Sequence, residues 1–97
     1  MNNKIVRLKS GEELLAAIVK EGEHSITLDK PCIVLPTGEN GQIGLYRFMP
    51  YAKADTIVIQ KVDTYFIVEP QADLDSYYES IVNPSTIMQP KKPLVGI

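Results

Sequence analysis

The chain has 97 residues, of which 44% are hydrophobic and 23% are charged, and its formal net charge is −2. A chain of this length supports one hydrophobic core, and its composition is that of an ordinary globular protein, which excludes a second domain and a fibrous repeat. The small net charge excludes the strongly basic overall field of many nucleic-acid-binding proteins.

Two strands are predicted near the start of the chain. Residues 5–9 alternate between apolar and polar side chains, which is the period of a strand, and place Val6 and Leu8 in the core. Residues 14–19 are apolar on both faces and lie between two turns that contain glycine. We interpret this second run as a strand that is covered on both sides.

The third strand, residues 25–35, alternates again and directs Ile26 and Leu28 inwards. Pro31 interrupts it and cannot donate a hydrogen bond to a β-ladder, so it predicts an edge position, a bulge or a sharp bend. Asn40-Gly41 then stands between apolar runs, which is a strong signal for a hairpin.

Three further runs of strand-forming residues follow. Residues 43–49 are predicted as the fourth strand, and residues 56–59 and 64–68 are rich in β-branched and aromatic side chains. Only residues 60–63 separate the last two runs, and they predict either a tight turn or one bent strand. Short strands joined by brief turns indicate a barrel or a sandwich.

Beyond Pro70 the hydrophobic period becomes that of an amphipathic helix. Its apolar stripe consists of Leu74, Tyr77, Tyr78 and Ile81. Asp73 is predicted as the N-cap, Asp75 lies in the first turn, and Asn83-Pro84 ends the helix. A loop that binds calcium is disfavoured for the two aspartates because its glycine and terminal glutamate are missing. We assign residues 1–83 to the domain and residues 84–97 to a tail that contains proline and lysine.

No run of residues has the length and apolar character of a signal peptide or a membrane-spanning helix, so we expect a cytoplasmic protein that does not enter membranes. Cys32 is the sole cysteine, which excludes an intrachain disulfide and a cysteine-based zinc cluster. Its neighbours Ile33 and Val34 are apolar, so a buried structural thiol is expected.

Three segments carry a resemblance to a known family. Val6–Gly11 reads Val-x-Leu-Lys-x-Gly, Ile26–Leu28 reads Ile-x-Leu, and Ile59–Asp63 reads Ile-x-x-x-Asp. With the order of the strands, they resemble the two sequence motifs of Sm and Sm-like proteins over about residues 4–69. The chain is also similar to short uncharacterised Sm-like proteins of marine phages.

This resemblance implies a small, strongly bent, five-stranded antiparallel barrel of the Sm-like (SH3-like) type, which carries one C-terminal α-helix in this chain. Members of the family pair the edge strands of neighbouring copies and so form rings, which removes the exposed edges that promote aggregation. We therefore expect a homo-oligomeric ring of about five to seven copies. The family usually binds single-stranded RNA in the lumen of the ring.

The two loops that bind RNA in the family correspond here to His24 and Ser25 and to Gln60 and Lys61. His24 has a ring that can stack on a base, and Ser25 can form hydrogen bonds, whereas the neighbouring Glu23 repels phosphate. The glycine that usually follows the family's arginine in the second loop is missing here. These departures predict a weak or degenerate RNA site, and a solvated histidine without a function is the alternative for His24.

Basic and aromatic side chains elsewhere are further candidates for an RNA-binding face. The basic ones are Arg7, Lys9, Arg47, Lys53 and Lys61, and the aromatic ones near Arg47 are Tyr46, Phe48 and Tyr51. The alternative is that the basic residues form an ordinary polar face and that the aromatic residues belong to the core or to contacts between subunits.

Nothing in the sequence indicates an enzyme, a metal site or a cofactor. The chain has one histidine and lacks a Gly-x-Ser-x-Gly nucleophile motif and a glycine-rich phosphate loop. Glu12 and Glu13 are adjacent on a strand edge, where neighbouring side chains point to opposite faces, so we expect charges that promote solubility.

The competing functional hypothesis is a non-enzymatic protein-interaction or structural module built on the same small barrel. It depends on the acidic helix and on the degenerate RNA-binding motifs. The module would hold a protein partner with its edge strands, its helix and its basic tail, where Pro90-Lys91-Lys92-Pro93 has the spacing of a polyproline ligand. A plain disordered terminus is the alternative interpretation of the tail.

Overall fold

The computed structural model describes residues 3–37 and 41–83, and over these ranges the protein is mainly β. The elements in chain order are β1 (Asn3–Leu8), β2 (Glu13–Glu21), β3 (Ser25–Pro36), β4 (Ile43–Arg47), β5 (Thr56–Gln60), β6 (Thr64–Val68) and the helix α1 (Ala72–Val82). Within the described ranges the six strands form one open antiparallel sheet. The predicted mainly β class with one C-terminal helix is confirmed.

The sheet has the order β4-β3-β2-β1-β6, and β5 also pairs with β3. Residues 25–29 of β3 pair with β5, and residues 32–36 pair with β4. The strands β4 and β5 therefore lie one after the other along the same edge of β3. The described part of the chain therefore has six strands, which match the six strand-forming runs of the sequence, whereas the family resemblance implied five.

β3 changes direction where it changes partner. Lys30 has a φ of +50°, a left-handed conformation that side chains other than glycine rarely adopt. In the ladder with β2, Leu15 pairs with Cys32 and Ala17 pairs with Asp29, so two residues of β3 face one residue of β2. This pattern is a β-bulge, and it confirms the irregularity predicted from Pro31.

The side-chain hydroxyl of Tyr78 connects the helix α1 to this bulge by hydrogen bonds. The Tyr78 hydroxyl donates towards the carbonyl oxygens of Asp29 and Lys30, which lie at 3.1 and 2.9 Å. Tyr78 is buried, and this burial raises the pKa of its phenol above the ordinary value. The hydroxyl therefore stays protonated and remains a donor across the physiological range.

Two hydrophobic cores lie on opposite faces of β2. The first core contains Val6, Leu8, Leu14, Ala16, Ile26 and Leu28, and the second contains Leu15, Cys32, Leu45, Tyr78 and Ile81. Adjacent residues of a strand point to opposite faces, so β2 contributes to both cores. The predicted inward residues of the first three strands are confirmed, and residues 14–17 are buried as expected of a strand that is covered on both sides, while Val19 is exposed.

The helix has the predicted stripe but starts earlier than expected. Its N-cap is Gln71, which is extended, and Asp73 lies in the first turn with Asp75. The prediction of Asp73 as N-cap is wrong because the helical conformation already begins at Ala72. At the other end Asn83 is the C-cap, and its N–H donates to the Glu79 carbonyl at 2.8 Å.

The predicted connections have different outcomes. A short 3₁₀ turn at Lys61–Asp63 joins β5 to β6. Of the two predicted alternatives, a tight turn or one bent strand, the structure therefore has the tight turn. The hairpin that joins β3 to β4 is confirmed by their antiparallel pairing, although residues 38–40 of its turn and the tail at residues 84–97 lie outside the described residues. The strand β4 ends at Arg47, two residues before the predicted end.

Replacing Tyr78 with phenylalanine is predicted to lower the free energy of unfolding by about 1–2 kcal/mol, because the carbonyl oxygens of Asp29 and Lys30 lose the tyrosine hydroxyl as a donor. Urea denaturation of the full chain measures this loss. Tyr51→Phe is the matched control, since Tyr51 is 98% exposed. Loss of its hydroxyl group should change the free energy of unfolding by no more than about 0.5 kcal/mol. Equal stability of Tyr78→Phe and the control would contradict the role of the hydroxyl.

Asn3 connects β1 to the helix, and its charge partners predict a dependence on pH. Asn3 is 6% exposed, and its amide nitrogen donates to the carboxylates of Asp75 and Glu79, each at 2.6 Å. This donation is the largest cause that holds the pKa of Glu79 below its ordinary value of 4.5. A carboxyl group with a lowered pKa stabilises the fold above its unfolded pKa and loses this contribution as the pH falls through the folded pKa.

Asn3→Ala is therefore predicted to have a lower free energy of unfolding than the original chain at pH 7. The difference in free energy between the two proteins should become smaller below about pH 4.5. Urea denaturation at a series of pH values measures the difference. The control places Asn3→Ala in a Glu79→Gln background, which has no titrating carboxyl group at this position. There the effect of Asn3→Ala on the free energy of unfolding should change less with pH. A difference that stays constant from pH 7 to pH 3 would contradict the prediction.

Candidate nucleic-acid interface

The ladder between β3 and β5 brings together the four residues suggested by the family resemblance. Ser25 pairs with Gln60 across the ladder, and the Lys61 N–H donates to the His24 carbonyl at 2.8 Å. The two loops are 36 residues apart in the sequence and are neighbours at one end of the sheet. We call this group of four residues the loop cluster.

Local hydrogen bonds hold both loops in place. In the turn between β2 and β3, the Gly22 N–H donates to the Ser25 carbonyl at 2.8 Å. In the turn after β5, the Thr64 hydroxyl donates to the Lys61 carbonyl at 2.9 Å, as does the Thr64 N–H. The backbone of the loop cluster is therefore fixed, while the side chains of His24 and Gln60 are exposed to solvent.

The cation of the loop cluster is neutralised within the chain. The Lys61 ammonium lies 3.0 Å from a carboxylate oxygen of Glu21. His24 has a carboxylate oxygen of Glu23 at 3.9 Å, but both side chains are more than 80% exposed, so water screens that pair. A phosphate that approaches Lys61 competes with Glu21 and meets the repulsion of Glu23.

A second cation lies close to the loop cluster. An open cleft of about 310 Å³ is lined by Gln60 together with Lys9, Ser10 and Asp63. The Lys9 N–H donates to the Asp63 carbonyl at 2.8 Å, which joins the end of β1 to the turn after β5. Lys9 is among the basic residues that the sequence suggested, but the sequence did not indicate that it borders Gln60.

The other basic residues are distributed over the sheet. Arg7 pairs with Glu13 at 2.7 Å, and Arg47 lies 3.8 Å from Asp55. Arg47 pairs with Cys32 in the ladder, seven residues along β3 from the loop cluster, which is roughly 23 Å in an extended strand. The described structure therefore places Arg47 beside the other half of β3 from the loop cluster, and Arg7 in an ion pair between β1 and β2.

The aromatic candidates have three different environments. Phe48 packs against the first core, as expected for a residue that the core requires. Tyr46 is half-buried and covers Gly44, where an added Cβ would lie 2.8 Å from the tyrosine hydroxyl. Tyr51 is 98% exposed on the connection between β4 and β5, so it is the aromatic ring of this group that is accessible to a base.

Adjacent acidic residues act separately rather than as a pair. Glu12 accepts a hydrogen bond from the Ser10 hydroxyl, which lowers the pKa of its carboxyl group. Glu13 instead accepts from Arg7 across the ladder between β1 and β2. The two carboxylates therefore have different partners, as expected of adjacent residues whose side chains point to opposite faces.

Cys32 is a buried thiol, as the sequence predicted. It is 1% exposed and belongs to the second core, and burial raises its pKa to about 11. The thiol therefore stays protonated at neutral pH, whereas the thiolate is the form that attacks electrophiles and binds metals. The arrangement therefore supports a structural role for Cys32.

Within residues 3–37 and 41–83, no group of three or more His, Cys, Asp or Glu side chains is arranged to hold a metal ion. In the same ranges no helix is both long and apolar enough to cross a bilayer. No protein-family model matches the chain, and no curated protein is significantly similar to it.

Proposed function

We propose that the protein is a non-enzymatic, Sm-like module that assembles into a homo-oligomeric ring and binds single-stranded RNA weakly through the loop cluster. The observation that carries this proposal is the placement of His24, Ser25, Gln60 and Lys61 side by side by one ladder. The bend of β3 supports the fold assignment, since β4 and β5 together take the place of one long bent strand of an Sm-like barrel. The cytoplasm, where RNA is accessible, fits this function.

The edges of the sheet support assembly. Within the described residues, the outer edge of β6 and the outer edges of β4 and β5 pair with no other strand. The strand β6 carries no charge, and four of its side chains, Tyr65, Phe66, Ile67 and Val68, are exposed. An uncharged apolar edge promotes association. Pairing β6 of one copy with the other edge of the next copy is a head-to-tail contact, which forms a ring if the rotation closes.

The side chains of the loop cluster suit single-stranded RNA. The exposed imidazole of His24 can stack on an unpaired base, and the Gln60 amide can both donate to and accept from a base edge. Lys61 is available to a phosphate only when it leaves Glu21. Weak binding by each copy follows, and repetition around a ring increases the total affinity because the sites are linked.

We expect short oligo-U and oligo-A to bind the full chain at low salt and much less at physiological salt, because the interaction with phosphate is electrostatic. Lys61→Ala should weaken binding and lower the dependence of log K on log salt by about 0.7 for each phosphate that the lysine neutralises. Glu21→Gln should strengthen binding because it releases Lys61. Fluorescence anisotropy with labelled oligonucleotides measures all three affinities.

The matched control is Lys4→Ala, which removes a cation that is also ion-paired, with Glu69 at 3.2 Å, and should leave the affinity almost unchanged. No association at low salt, or equal reductions of affinity in Lys61→Ala and Lys4→Ala, would exclude RNA binding by the loop cluster. With a ring intact, that result would favour the protein-interaction module as the function of the same fold.

The assembly has its own test. Light scattering after size exclusion should give a mass about five to seven times the 10.8 kDa of one chain. The double substitution Tyr65→Lys and Phe66→Lys should reduce this mass to that of one chain, because lysines on an edge strand oppose pairing. Val19→Lys, a substitution at an exposed apolar residue of the inner strand β2, is the control. A single-chain mass for the original protein at high concentration would exclude the ring.

A further inference from the structure

The first turns of α1 and the sheet enclose an open groove at the end of the molecule that carries β4. Its volume is about 730 Å³, and its apolar lining includes Ile5, Ile43, Leu74 and Tyr77. Ile43 is exposed and the other three are half-buried. We call this feature the helix groove, and it is separate from the loop cluster.

The rim of the helix groove is acidic. It includes the carboxylates of Glu69 and Asp73, and residues 62–90 contain five acidic residues and no lysine or arginine. Lys4 lies 3.2 Å from Glu69, but the Glu69 side chain is 82% exposed, so this pair is screened and can exchange with another cation. An occupant that matches the groove needs aliphatic side chains for the lining and cations for the rim.

The chain itself contains a segment with this composition. Residues 87–95 read Ile-Met-Gln-Pro-Lys-Lys-Pro-Leu-Val, so two adjacent lysines stand between aliphatic groups. They are also the only cations of the chain after Lys61. The same chain therefore contains positive charges that can pair with the acidic rim of the helix groove.

The distance permits this segment to reach the helix groove of its own chain. The described residues end at Asn83, after the last turn of α1, and the groove lies beside Asp73 and Leu74. Asn83 is nine positions after Leu74, which is about 14 Å along the helix axis. Residues 84–90 span up to about 23 Å when extended, enough to return along the helix and bring Lys91 to the rim.

We propose that the helix groove binds residues 87–95 of the same chain, with the aliphatic side chains on the apolar lining and Lys91 and Lys92 against Glu69 and Asp73. The segment covers apolar surface of Ile43 and neutralises part of the acidic charge of α1. This contact goes beyond the proposed RNA binding, since it does not use the loop cluster.

Disulfide trapping in the full chain tests the proposal. Gln71 is exposed and lines the groove, so Gln71→Cys with Gln89→Cys places one thiol at the groove and one in the segment without removing a charged partner. Cys32 can remain, because it is buried and its thiol is almost entirely protonated. The matched control is Gln60→Cys with Gln89→Cys, where Gln60 is exposed at the opposite end of the sheet.

The intrachain disulfide should form roughly tenfold faster in the groove pair than in the control, because docking raises the effective concentration of the two thiols. Adding Lys91→Glu and Lys92→Glu should reduce the rate to that of the control. Equal rates in the two pairs would overturn the proposal. Predominant disulfides between chains, seen on a non-reducing gel, would overturn the assignment to the same chain and identify a neighbouring copy as the source of the segment.

Discussion

The contact between the Tyr78 hydroxyl and the bulge of β3 is the interaction on which the rest of the structure depends. Lys30 adopts a left-handed conformation there, at a cost of about 1–2 kcal/mol for a residue with a side chain. The hydrogen bonds of Tyr78 and the burial of its ring in the second core offset this cost. Because β3 bends at this point, its first half carries β5 and its second half carries β4.

This division separates two surfaces of different chemistry. The half of β3 paired with β5 ends at the loop cluster, where Lys61 is neutralised by Glu21. The half paired with β4 leads towards the helix groove, where the acidic side chains of Glu69 and Asp73 surround an apolar lining. The RNA and the lysine-containing segment that we propose as ligands are therefore assigned to different ends of the same domain.

The fold could be predicted in outline because burial on one face of a strand imposes an alternation that is visible in the sequence, as at Val6 and Ile26. The division of one edge into β4 and β5 could not, since it depends on the bulge at Lys30 and on the path of residues 48–55. The helix stripe was clear, but the N-cap at Gln71 was not, because glutamine is no typical capping residue. At the candidate site, the sequence suggested which loops are neighbours through the family resemblance. It had no signal for the ion pair between Lys61 and Glu21, which joins residues 40 positions apart.

The burial of β2 on both faces has a consequence for how the domain comes apart. Leu14 and Ala16 belong to the first core, while Leu15 belongs to the second, so one stretch of backbone is shared by the two packed layers. Neither layer can be exposed to water without loosening this strand and thereby the other layer. The helix and the far side of the sheet therefore melt together, as one cooperative unit, rather than in separate steps.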